Sequence, residues 1–92
     1  MSADLFFLGV TGVHPEAGLT TGDAEEAAMK RTLAARAADT YVLASTEKVG
    51  AISPYKVLGV GDVTAIVTDA APDDPVLAQL SEGGTAVISA AA

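Results

Sequence analysis

The chain has 92 residues, half of them hydrophobic, no cysteine, and 12 acidic against 5 basic side chains, giving a formal charge of −7 at pH 7. That balance excludes a grip on a phosphate backbone, which needs clustered Lys and Arg, and the missing cysteines exclude disulfides and thiolate metal sites. A chain this short buries only about 60–65% of the surface its unfolded form exposes, so a mean hydropathy of +0.40 predicts that some strand edge or face is covered by another chain.

In chain order, Leu5-Phe-Phe-Leu-Gly-Val10 is a continuous apolar run rather than an alternating one, the pattern of a strand buried on both faces. Similar runs follow at Tyr41–Ala44, Ala65–Thr68 and Thr85–Ile88. Four such strands predict a mostly parallel four-stranded sheet with flanking helices, an α/β fold. Gly18-Leu-Thr-Thr-Gly22 reads as a turn-forming loop passing into the one long helix, from about Ala24 to Ala38, which makes a right-handed crossover to the second strand. Asp23 and Glu26 form a capping-box pattern at its start.

At 100° per residue this helix carries an alanine stripe, Ala24, Ala27, Ala28, Ala35 and Ala38, and a bulkier ridge of Met29, Leu33 and Ala37. Two apolar faces predict cover on two sides, with Glu25, Thr32, Arg36 and Asp39 left to solvent. Ser45 to Asp62 is a long irregular connection with a short strand expected at Tyr55–Leu58. Asp74-Pro75 supplies a cap and first-turn proline, and Gly83-Gly84 a stop, around a short second helix.

Few residues suggest chemistry. Glu26 and Lys30 are spaced four apart in the favourable order for an ion pair, and they lie beside the apolar ridge rather than on the charged side. Lys48 follows the second strand at the carboxyl end of the sheet, where open α/β folds place ligands. The loop before the helix is a poor anion cradle, because Asp23, Glu25 and Glu26 crowd its first turn with carboxylates. His14 is the one histidine and reads as a surface-loop residue; Asp73-Asp74 reads as a cap pair and Asp69 as a strand-ending turn residue. No metal site and no cofactor are implied. No leader-like pattern precedes Leu5 and no apolar run approaches the ~20 residues that span a bilayer, so a soluble cytoplasmic protein with no membrane partner is expected.

Asp4-Leu-Phe-Phe-Leu-Gly9 with Gly12, Gly18-Leu-Thr-Thr21 followed by Glu26-Ala27 and Lys30-Arg31, Leu43-Ala-Ser-Thr-Glu-Lys48 with Gly50, and Val67-Thr-Asp69 occur together in one order across nearly the whole chain. In this the sequence resembles the carboxy-terminal effector domain of DeoR-type bacterial transcriptional regulators. The resemblance implies a fold similar to ribose-5-phosphate isomerase and CoA transferases, a sugar-phosphate-like effector, self-association into a homo-oligomer, and DNA contact only through a winged helix-turn-helix domain that is not seen in this sequence. It assigns residues 1–92 to the carboxy-terminal portion of that domain. It further implies effector contacts from Glu26, Lys30 and Lys48 beside Gly9, while Thr20 and Thr21 of the loop before the helix are themselves candidate partners for sugar hydroxyls. The family pattern around Lys48 is Asp-x-Ser-Lys; here Ser45 stands at the Asp position and Glu47 at the Ser position.

In the isomerase-like enzymes an acidic cluster after the first strand transfers the proton. Leu8 and Thr11 fall at those positions here, so sensing is expected in place of catalysis. A small sugar-phosphate isomerase and a purely structural self-association module are the alternatives.

Overall fold

A computed structural model describes residues 5–90. Its main sheet has the strand order β1-β4-β6-β7, built from β1 (Leu5–Gly9), β4 (Asp39–Ala44), β6 (Ala65–Thr68) and β7 (Val87–Ser89), all parallel. The expected four-stranded parallel sheet is therefore present. The crossovers carry α1 (Ala24–Ala35) and α2 (Pro75–Glu82). Because the strand order runs in one direction, right-handed crossovers set both helices on the same side of this sheet.

That topology overturns the expectation of strands buried on both faces. Phe6, Leu8, Thr40, Val42, Ala44, Ile66, Thr68 and Val87 fall on one face and are buried or half-buried, whereas Leu5, Phe7, Leu43 and Ile88 alternate with them and stay exposed. The apolar residues on that open face are in register from strand to strand: Leu43 lies beside Val67, and Val67 beside Ile88. Phe7 and Tyr41 stack obliquely, with ring centroids 6.2 Å apart.

A second sheet was not expected. It is antiparallel, in the order β2-β3-β5, with β2 at Gly12–His14, β3 at Gly18–Thr21 and β5 at Tyr55–Leu58. The short strand at Tyr55–Leu58 is the one anticipated. Gly18–Thr21, expected to be a loop, is instead the buried middle strand of this sheet. Gly18 enters it at φ +83°, a conformation that only glycine adopts without strain. His14 is part of the same turn rather than a loose loop: its Nδ1 accepts from the backbone N–H groups of Glu16 and Ala17, at 3.1 and 3.2 Å. Val13, Leu19 and Val57 of the small sheet share one core with Leu8, Val42 and Ile66 of the main sheet, Ala27 of α1, and Leu77 and Leu80 of α2.

Helix α1 ends at Ala35, short of the expected Ala38. The N–H of Arg36 bonds back to Leu33 and that of Ala37 to Ala34, tightening the last turn, and the chain must then reverse to start β4 at Asp39. Its start also differs from the capping box. Asp23 accepts from the Glu25 N–H at 2.9 Å as a cap should, but Glu26 turns away to pair with Lys30. The alanine stripe meets the core only through Ala27, and Met29 and Leu33 are exposed, so the second apolar side has no cover among the described residues. The predicted solvent side, Glu25, Thr32, Arg36 and Asp39, is exposed. Helix α2 follows its sequence signals closely, with Asp74 accepting from the Val76 N–H at 2.8 Å, Pro75 in the first turn, and Gly83 at the end.

Candidate functional site

Parallel strands in register finish together, and β1, β4 and β6 deliver three segments to one edge of the main sheet: Gly9–Thr11, Ser45–Lys48 and Asp69–Ala70. Carboxyl edges of open parallel sheets are where such folds hold ligands, because the loops there are free to diverge while the strands stay fixed. The candidate residues fall into two groups at this edge, with a third group behind it.

The first group gathers Gly9, Glu26 and Lys30. Lys30 reaches from α1 to donate to the Gly9 carbonyl at the end of β1, and its ammonium lies 2.6 Å from Glu26 Oε1. The Lys30 side chain is only 17% exposed, against 43% for Glu26. Its charge is thus committed to two protein oxygens, and the contact fastens α1 to the carboxyl end of β1.

The second group surrounds Lys48. After β4 the chain makes a single 3-10 turn, Thr46–Lys48, closed by Lys48 N–H to Ser45 carbonyl at 2.9 Å. Ser45 donates its hydroxyl to Glu47 Oε1 at 2.6 Å. This bond, then the Glu47 backbone N–H, holds the Glu47 carboxyl below its ordinary value; the Lys48 charge adds to the effect and burial and the Asp69 charge oppose it. Ser45 and Glu47 thus stand as a hydroxyl and a carboxylate hydrogen-bonded to each other. The Lys48 ammonium itself makes no hydrogen bond or salt bridge with the described residues. In this it differs from Lys30, and it is the cation at this edge with charge to spare for an anion.

Thr20 and Thr21 lie behind these groups, not in an open loop. They are 2% and 1% exposed in the middle of the small sheet. Thr20 Oγ1 accepts from the Ser53 N–H at 2.8 Å, and the Ser53 hydroxyl in turn lies 2.6 Å from that of Thr11. The segment after the turn is held to the same sheet by Gly50 N–H donating to the Val13 carbonyl at 2.7 Å.

Sequence reasoning missed the pairing of Thr46 with Asp69, whose carboxylate accepts from both the Thr46 N–H and its hydroxyl, and the link between Thr11 and Ser53. Neither has a local signal, since the partners lie 23 and 42 residues apart.

Leu8 is fully buried and the Thr11 hydroxyl is engaged by Ser53. Among the described residues no three His, Asp or Glu side chains gather closely enough to hold a metal ion, and no helix is long and apolar enough to cross a membrane. A shallow depression of about 160 Å³ lies along the β7 edge between Pro72, Leu77, Val87 and Ser89, and shares no residue with the groups above. It falls below the ~300 Å³ at which ligand pockets begin.

A family profile described as the DeoR C terminal sensor domain matches residues 1–70. The chain is 49% identical over 67 residues to a protein named as an uncharacterized HTH-type transcriptional regulator, FruR, of Bacillus subtilis, a stretch that covers 73% of this chain and 27% of that protein. It is 29% identical over 89 residues to the HTH-type transcriptional regulator GlpR of Haloferax volcanii, covering 97% of this chain and 35% of the relative. The chain thus spans about a quarter to a third of the length of the curated relatives it matches.

Proposed function

We propose that this chain, which belongs to the DeoR C-terminal sensor-domain family, is the effector-sensing part of a transcriptional regulator and takes a phosphorylated sugar or similar anionic metabolite at the carboxyl edge of its main sheet. The observation that carries the reading is the uncommitted Lys48 ammonium on a well-fixed turn at that edge. In this reading Lys48 meets the anionic group, and the Gly9 carbonyl end of β1 with Glu26 and Lys30 forms the neighbouring rim. Thr20 supports the wall from behind through Ser53, and Thr21 fills the sheet beneath it. In this reading control of DNA belongs to a winged helix-turn-helix domain of the same regulator, and sensing takes place in the cytoplasm; the HTH-type names of the two relatives support it.

Sensing is favoured over isomerase-like catalysis because Leu8 and Thr11 cannot accept a proton from a substrate carbon as a carboxylate would. Association with further copies is the second half of the reading. It is supported by the open apolar face of the main sheet and by β1, which is an edge strand. A parallel sheet ordinarily has both faces covered.

The test is a thermal-shift screen against a panel of sugar phosphates and the matching unphosphorylated sugars. A ligand that binds only the folded form raises the melting temperature by mass action, by about 2.7 kcal/mol of stability at a hundredfold excess over its dissociation constant. The expected result is a shift with a phosphorylated member that Lys48→Ala abolishes while the variant still melts cooperatively. A shift that Lys48→Ala leaves intact, or no shift with any member, overturns the assignment.

A further inference from the structure

The turn that carries Lys48 is fastened from outside itself. Asp69, the first residue after β6, places Oδ1 2.8 Å from the Thr46 N–H and 2.9 Å from the Thr46 hydroxyl, so one oxygen receives both donors of the first residue of the turn. The far end of the turn is held by Val49 N–H to Thr46 carbonyl at 3.2 Å and by Gly50 N–H to the Val13 carbonyl at 2.7 Å. Asp69 therefore clasps the end of β4 to the end of β6, and with Val13 it leaves the backbone of Lys48 little room to move.

A second feature makes the clasp unusual for an anion site. Asp69 is a carboxylate close enough to oppose the ionisation of Glu47, and its charge works against any anion at Lys48. Geometry and charge thus make opposite predictions about its removal, and this separates them experimentally.

We propose that Asp69 is a positioning residue for the effector site: by holding Thr46 it fixes the turn that presents Lys48, and it serves as a hydrogen-bond acceptor rather than as a charge. The proposal rests on the reading of Lys48 as the anion contact. It extends that reading to a residue with no place in the ligand shell, and it makes Thr46 its partner.

The experiment titrates the full chain and its variants with inorganic phosphate, the simplest probe of the anionic group, following backbone amide shifts of residues 45–50 by NMR. Asp69→Ala removes both bonds of the clasp, whereas Thr46→Val removes only the hydroxyl bond and keeps the backbone N–H. Thr46→Val is expected to weaken phosphate by about fivefold, the ratio that one typical lost hydrogen bond represents, and Asp69→Ala by at least as much. Asp69→Asn keeps an acceptor oxygen for both donors and loses the negative charge; it is expected to bind at least as tightly as the parent. Rescue by the amide is the readout that a loss of folding would not give, and cooperative melting of each variant checks the fold.

Equal loss in Asp69→Ala and Asp69→Asn would overturn the proposal by showing that the charge is what matters. Parent-like binding in both Asp69→Ala and Thr46→Val would overturn it while leaving Lys48 in place. If Lys48→Ala binds phosphate as the parent does, or the parent does not bind it, the underlying reading of Lys48 fails and the positioning role falls with it.

Discussion

Gly12 sits where β2 passes under the segment that follows the Lys48 turn, and the structure leaves no room there for a side chain. A Cβ at this position would stand 2.5 Å from the Ala51 carbonyl oxygen and 2.5 Å from Thr20 Oγ1, where ordinary contact begins at 3.4 Å. Neither neighbour yields easily. The first is backbone, held by Ala51 N–H bonding to the Lys48 carbonyl at 3.2 Å, and the second is fixed by accepting the Ser53 N–H.

Gly12→Ala must therefore push the strands apart or break the Thr20–Ser53 bond. Overpacking of this kind costs about 1–3 kcal/mol, and a lost buried hydrogen bond about 1 kcal/mol more. The reduced freedom of the unfolded chain returns about 0.4–1 kcal/mol. A net loss of about 1–3 kcal/mol corresponds to roughly 5–20 °C in melting temperature for a domain of this size. Gly22→Ala is the control, because a Cβ there meets nothing within 4 Å. Urea and thermal melts followed by circular dichroism decide the matter. A Gly12→Ala variant as stable as Gly22→Ala would refute the close approach of the small sheet to the 48–53 segment, and with it the fixed wall behind the effector site.

The pH behaviour of the turn follows from Ser45. Its hydrogen bond lowers the Glu47 pKa in the folded chain, so the stability this bond contributes is present above the unfolded carboxylate pKa and is lost as pH falls through the lowered folded value. The carboxylate is solvent-exposed and the effect on stability is small; the titration itself is the readout. Ser45→Ala should return the Glu47 pKa toward its ordinary value in a carboxyl-carbon NMR titration, and an unchanged midpoint would show that the bond is not formed. For the open sheet face, Leu43→Lys should shift the chain toward a smaller species in sedimentation velocity at high concentration. A parent chain that is strictly monomeric there would refute association through that face.

The parallel strands were legible because each is a compact apolar run bounded by polar or glycine residues, and α2 because its cap, proline and stop are all local signals. What the runs could not reveal is which faces are covered. Leu5-Phe-Phe-Leu8 has the same sequence signature whether one side or both are buried, and only the direction of the crossovers decides it. The small sheet escaped notice for a related reason: Gly12–His14 and Gly18–Thr21 are short and carry the glycines that usually mark turns. The threonines of β3 are polar by composition, yet a buried hydroxyl is tolerated where it is hydrogen-bonded, as that of Thr20 is to the Ser53 N–H.

At the candidate site, Lys48 was legible from its place after a parallel strand, and Glu26–Lys30 from helical spacing. The commitment of Lys30 to the Gly9 carbonyl was not, because that contact spans 21 residues. Asp69 looked like any acidic residue closing a strand, since its partner is set by the register of β4 on β6 and by nothing in its own neighbourhood.

The most direct test of the central claim is to map where a ligand lands. An NMR titration of the isotope-labelled chain with the sugar phosphate that most raises its melting temperature should move the amides of Ser45–Lys48, Gly9–Thr11 and Asp69–Ala70 together, along one binding curve that Lys48→Ala flattens. Shifts confined to the amides of Leu77, Ala78 and Val87 along the β7 edge, with the Lys48 turn unmoved, would contradict it.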